Sequence, residues 1–203
     1  MSKSLNRTDP ILVVISGPSG VGKDALLAKM KAINAGYEFV ITTTTRAKRP
    51  DETNGKDYLF VSKIKFLEMI QKEELLEWAQ VYGNYYGVPL SQIRGFLEKG
   101  QDVILKTDVQ GAKTIRSKVP GALLVFLAPP TMEDLAHRLR DRMTESQSDL
   151  GLRIETAKQE MKDKEWFDYV VVNHNEMLDH TVTEVINLIM KEKRKELIRN
   201  IRI

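Results

Sequence analysis

Short apolar runs recur along the chain, and each is followed by a segment with the wider apolar spacing of a helix. Residues 11–15, Ile-Leu-Val-Val-Ile, form a β-branched run that ends in a glycine-rich turn, and residues 23–33 continue with helix-forming side chains. Residues 102–105, 122–127 and 168–172 repeat the pattern, each with a helical stretch behind it. Runs without polar alternation predict strands buried on both faces. Strand followed by helix, several times over, predicts an α/β fold with a parallel sheet and helices on both faces. The longest purely apolar runs, 11–15 and 122–128, are far too short to cross a bilayer.

Two stretches break this rhythm. Residues 42–88 read as short strands at 57–61 and 75–82 around a helix at 63–72, rich in Thr, Arg and Tyr. They predict an inserted substrate-binding lobe. Residues 131–153 read as a helix and a polar segment whose apolar content is too low to pack firmly, which predicts a mobile flap. The core then comprises 1–41, 89–130 and 154–203. No repeat, low-complexity tract or linker divides it, so one folding unit is expected. A last helix is expected from 176 to about 197, and its basic cluster at 191–195 reads as a solvated helix end.

The 203 residues contain no cysteine, which excludes disulfides, thiolate metal sites and thiol nucleophiles. His137, His174 and His180 match no metal-binding spacing. A net charge of +3 is too small to imply nucleic acid as a partner. Residues 1–10 hold no apolar segment of signal-peptide length, so the cytoplasm is the expected compartment. The composition fits a monomer or small homo-oligomer equally well.

The first strand leads into Gly17-Pro-Ser-Gly-Val-Gly-Lys-Asp24, a glycine, four residues, then Gly-Lys. Glycines at this spacing let successive backbone N–H groups converge on a phosphate. The helix behind them aims its positive end there, and the lysine reaches the β- and γ-phosphates. Gly17, Ser19, Gly20, Val21, Gly22, Lys23, Asp24 and Ala25 are therefore expected to hold ATP. Asp24 stands where a Ser or Thr hydroxyl usually binds Mg²⁺, and a carboxylate is also a hard oxygen ligand. It is the candidate metal residue, though an Asp in a first helical turn also serves the helix dipole.

Further motifs follow in order: Thr42-Thr-Thr-Thr-Arg-Ala-Lys-Arg-Pro50, Asn54-Gly-Lys-Asp-Tyr58, Glu77-Trp78, Gly83-Asn-Tyr-Tyr-Gly87, Asp108-Val-Gln-Gly111, Ala128-Pro-Pro130 and Val172-Asn173. Together they resemble the guanylate kinases from about residue 10 to residue 190. The resemblance implies a phosphate-loop nucleotide-binding fold and transfer of a phosphoryl group from Mg²⁺·ATP to GMP. It gives Arg46, Arg49, Tyr58 and Tyr86 the phosphate of GMP, for which two guanidinium forks and two phenols are suitable donors. Glu77 would recognise guanine, whose N1–H and N2–H₂ face two carboxylate oxygens, whereas adenine presents an acceptor at N1. Such a mismatch can reject the wrong base by roughly four to five orders of magnitude. Taken alone, Glu77 beside Trp78 reads as a solvent-side strand residue. Thr42 and Asp108 resemble supporting contacts to the base. Arg142 and Arg153 resemble arginines that close over the phosphates, Arg138 on the same flap is also expected on ATP, and Asn173 resembles an adenine contact. Lys23, Arg46, Arg142 and Arg153 are the expected carriers of charge stabilisation.

The chain departs from the family in three places. Lys106 stands where an acid normally lies near the metal, two positions before Asp108, while the phosphate loop has gained Asp24. Either Asp24 holds or orients the metal in place of that acid, or it pairs with Lys106. Val88 replaces a Ser or Thr that contacts the base, which implies one hydrogen bond fewer at a cost of about 1 kcal/mol. Two other readings stay open. A kinase of another acceptor, such as a ribose bisphosphate, would give Glu77 and Asp108 nothing to bind. A protein-binding module that has lost catalysis would have no need of Lys23, the loop glycines or the lid arginines.

Overall fold

A computed structural model describes residues 9–33, 35–81, 83–141, 147–195, 201 and 203, with side chains omitted for 147–149. Its centre is a five-stranded parallel sheet in the order β2 (Glu38–Phe39), β7 (Val103–Lys106), β1 (Leu12–Ser16), β8 (Leu123–Ala128), β9 (Tyr169–Val172). Alternate residues of β1 enter two separate cores. Val13 and Ile15 pack with Leu26, Leu27 and Met30 of α1 (Lys23–Ala32) and with Val185 and Ile189 of α7 (Leu178–Lys193). Leu12 and Val14 pack with Ile93 of α3 (Leu90–Glu98) and Ala112 and Ile115 of α4 (Val109–Lys118). Both sheet faces are therefore covered by helices, which is why these strands carry no polar alternation.

A second, four-stranded sheet has the order β4 (Leu59–Phe60), β3 (Thr43–Thr44), β6 (Asn84–Pro89), β5 (Leu75–Val81), with α2 (Lys63–Gln71) between β4 and β5 in the chain. β6 lies between β3 and β5, antiparallel to both. Sequence periodicity did not reveal it, because Gly87 and Pro89 interrupt the apolar pattern while Val88 is fully buried. The expected strand at 57–61 is realised only over Leu59–Phe60.

The stretch 131–153, expected to pack poorly, holds α5 (Met132–Asp141) and the start of α6 (Gln147–Lys162), which continues into the expected core. Leu135 and Leu139 of α5 and Ala157 of α6 are buried in the first core, with Leu150 and Ile154 against them. A few apolar residues at helical spacing suffice to anchor both helices, which raw composition undercounts. Arg142 lies outside the described residues. Among the described residues no helix is long and apolar enough to cross a membrane.

Candidate active site

β1 delivers the glycine loop to the start of α1. Gly22, the residue before the helix, has φ +105°, and a Cβ there would lie 2.5 Å from Asn173 Nδ2. Glycine is required by conformation and by space at once. The Lys23 ammonium turns back onto the loop, donating to Gly17 O at 2.5 Å and Pro18 O at 3.1 Å. Burial lowers its pKa, against the pull of Glu160, Asp24 and Asp108.

Two residues expected on ATP brace this loop from behind. The Asn173 amide donates to Val21 O at 2.8 Å and accepts from Thr181 Oγ1 at 3.1 Å. Arg138 donates to Val21 O at 3.1 Å and to Asn173 O at 2.7 Å. Neither lines the cavity that the loop faces, and Ala25 does not line it either.

Across from the loop, Arg46 follows β3 and donates to Glu52 Oε1 at 2.6 Å, with its guanidinium over the rings of Tyr58 and Phe60 at 5.5 and 5.7 Å. Glu52 also accepts from the Arg49 backbone N–H at 2.8 Å, so one carboxylate fixes both arginines. Burial alone would raise the Glu52 pKa, but the bonds from Arg46 and Arg49 outweigh it and hold the carboxyl below its usual value. Tyr58 and Tyr86 meet edge to face at 6.3 Å between centroids.

The base end of the cavity is formed where β5 meets α4. Glu77 is 3% exposed, and its Oε1 accepts from Thr107 Oγ1 at 2.8 Å. Among the described residues its Oε2, which is buried, has no hydrogen-bond partner, and neither has Thr42 Oγ1. Burial, and after it the charge of Asp108, pushes the Glu77 carboxyl up to about 8, with the Thr107 bond and Lys118 pulling the other way. A buried polar atom without a partner is costly, and two such atoms beside one cavity point to a ligand that hydrogen-bonds there. Asp108 caps α4, accepting from Gly111 N at 2.7 Å. Gly111 lets the helix approach the acid, since a Cβ on it would lie 2.6 Å from Glu77 Oε2. Val88 sits opposite Glu77 on β6 but is fully buried in the second core.

Between the two ends, β7 runs in register with β1, Ile15 opposite Lys106. The Lys106 ammonium forms an ion pair with Asp24 and stands 4.1 Å from the ring centre of Tyr58. Of the two arrangements expected for the exchanged residues, the structure has the pair.

One cavity of about 400 Å³ gathers these groups: Gly17, Ser19, Gly20, Val21, Gly22, Lys23 and Asp24 on one side, Thr42, Arg46, Arg49, Tyr58, Glu77, Tyr86 and Asp108 on the other, and Arg153 from α6. Sequence reading missed Glu52, Thr107, Lys106 as a wall residue, and two further residues of α6, Thr156 and Glu160. Arg153, Thr156 and Glu160 are spaced by three and four, one face of a helix, and all three line the cavity. That spacing was a usable signal. Burial pushes the Glu160 carboxyl up to about 7, Lys23 draws it down, and the Ser19 backbone N–H donates to it.

Residues 9–192 match the family model for guanylate kinase. The rice protein "Guanylate kinase 2, chloroplastic/mitochondrial" is 48% identical over 187 residues, which is 92% of this chain and 66% of the rice protein. A guanylate kinase of Thermotoga maritima is 39% identical over 184 residues, 91% of this chain and 88% of the relative. The crystal structure of guanylate kinase from Anaplasma phagocytophilum superposes with a TM-score of 0.76 at 31% identity, covering 95% of this chain and 91% of that one.

Proposed function

The chain belongs to the guanylate kinase family of phosphotransferases, and on that premise we propose that it transfers the γ-phosphoryl group of ATP to GMP, producing ADP and GDP. The observation that carries the reading is Glu77 Oε2, a buried carboxyl oxygen without a partner among the described residues, in the same cavity as the glycine loop. Guanine offers the paired donors that this oxygen and its neighbour Oε1 would accept; adenine does not. Arg46, Arg49, Tyr58 and Tyr86 hold the acceptor phosphate, and Thr42 and Asp108 support the base. The loop amides and Lys23 hold the donor phosphates, so Lys23 exchanges the carbonyls of Gly17 and Pro18 for phosphate oxygens when ATP enters. Arg153, with Arg142, supplies positive charge from the lid, and Asn173 with Arg138 keeps the loop in shape. No covalent intermediate is needed. Catalysis comes from alignment of the acceptor oxygen with the γ-phosphorus and from fixed positive charge around the group in transit.

Among the described residues no group of three or more His, Asp or Glu could hold a resident metal ion. Mg²⁺ would come in on ATP with phosphates and water as most of its shell, and Asp24 would be its protein oxygen while keeping the pair with Lys106. Bound there, the ion would neutralise charge on the β- and γ-phosphates. The proposed unit of function is a monomer or small homo-oligomer acting on these small molecules, without nucleic acid. The proposed compartment is the cytoplasm, and a fluorescent fusion confined to an organelle, where the rice relative's name assigns that protein, would overturn it.

Chromatography of the nucleotides formed from ATP, Mg²⁺ and one acceptor at a time tests the activity. Equal amounts of ADP and GDP are expected with GMP, and almost no turnover with AMP or ribose bisphosphate. Equal use of AMP, or no turnover of GMP, overturns the reading.

A further inference from the structure

The cation between the two ends of the cavity touches both of them. The Lys106 side chain is 14% exposed, deep for a lysine. On the donor side it pairs with Asp24, the residue after Lys23 in α1. On the acceptor side it lies over the Tyr58 ring, 4.1 Å from the ring centre. A lysine placed only to neutralise Asp24 would need no contact with the acceptor phenol. A lysine placed only against Tyr58 would need none with the donor helix. An ammonium has three N–H donors, and the bond to Asp24 uses one of them.

We propose that Lys106 is a catalytic residue of this chain, its ammonium held by Asp24 and Tyr58 so that it donates to an oxygen of the phosphoryl group in transit. The inference rests on the kinase reading above. In the step, an oxygen of the GMP phosphate forms a bond to the γ-phosphorus while the bond from that phosphorus to the β-bridging oxygen breaks. ADP leaves with the electron pair. Lys106 keeps its proton throughout and contributes charge alone.

The test compares wild type, Lys106→Met and Lys106→Arg for kcat, for GMP affinity by calorimetry, and for the ratio of rates with ATP and with ATPγS, whose sulfur replaces an oxygen on the transferred group. Lys106→Met is expected to lose kcat by roughly a hundredfold or more, with GMP affinity within about threefold of wild type and a smaller ATP-to-ATPγS ratio. Lys106→Arg, which keeps the charge, retains more of kcat than Lys106→Met. A methionine variant that folds and turns over within about threefold of wild type overturns the proposal, and so does an arginine variant that falls as far as the methionine variant. Should the methionine variant fail to fold, the arginine variant decides alone: a displaced charge must change the ATP-to-ATPγS ratio, and an unchanged ratio overturns it. A wild-type chain inactive on GMP would sink the kinase reading itself and is read separately.

Discussion

Glu77 is 3% exposed, and burial, then the charge of Asp108, pushes its carboxyl up to about 8. At pH 7 a group with that pKa carries its proton in about ten molecules of eleven. Guanine donating through N1–H and its amine would favour the carboxylate, as hydrogen bonds to a charged form do. The free chain holds the proton and the complex does not, so GMP binding should release about 0.9 proton at pH 7. Affinity must then rise with pH, and Kd should fall about eightfold between pH 7 and pH 8.5 as the cost of ionising Glu77 disappears. Calorimetric titration in buffers of different ionisation enthalpy measures the release directly. Glu77→Gln removes the titrating group, so its weaker GMP binding should release no proton and keep a flat pH profile over this range. Wild-type binding without net proton release, or the same release from Glu77→Gln, refutes the assignment of the base end to Glu77.

Three further changes probe the surroundings. Gly111→Ala puts a Cβ 2.1 Å from Thr107 Oγ1 and 2.6 Å from Glu77 Oε2; overpacking of about 1–3 kcal/mol should exceed the gain of about 1 kcal/mol from alanine in a helix. A lower urea midpoint and a smaller preference for GMP over AMP are expected, and no change in either contradicts the close approach. Asn173→Ala removes the bonds to Val21 and Thr181, at about 1–3 kcal/mol, and should raise KM for ATP while leaving KM for GMP unchanged. An unaltered stability with an altered choice between ATP and GTP would instead mark Asn173 as a contact to adenine. Glu160 ionises near pH 7 beside the phosphate cradle, so ATP affinity should weaken as pH rises from 6 to 8, and Glu160→Gln should abolish that slope. A slope that survives the substitution excludes Glu160 as its source.

Four of the five central strands were legible, β1, β7 and β8 because burial on both faces leaves continuous runs such as residues 11–15, whereas β2 is two half-buried residues and left no run. The glycine loop was legible because Gly22 has a conformation and a close neighbour that few other residues tolerate. β6 escaped notice because it is a central strand held by pairing to β3 and β5, while Gly87 and Pro89 conceal its pattern. The motifs placed Arg46 and Glu77 on the cavity. They could not reveal what fixes them, since Glu52 and Thr107 act through contacts that only the fold creates. Asn173 and Arg138 show the converse, because both lie next to the loop in space and each donates to Val21 O, yet neither lines the cavity. The charges of Asp24 and Lys106 suggested either a metal ligand or a pair, and only the register of β7 beside β1 brought the two side chains together.

The account depends on two anion pockets that share one cleft at phosphoryl-transfer distance. Adenosine and guanosine joined 5′ to 5′ through five phosphates span both pockets at once, and calorimetry of that compound measures their relation. One equivalent per chain, bound more tightly than ATP or GMP and displaced by either, is the predicted result. Two equivalents per chain, or displacement by ATP with no effect of GMP, would contradict it.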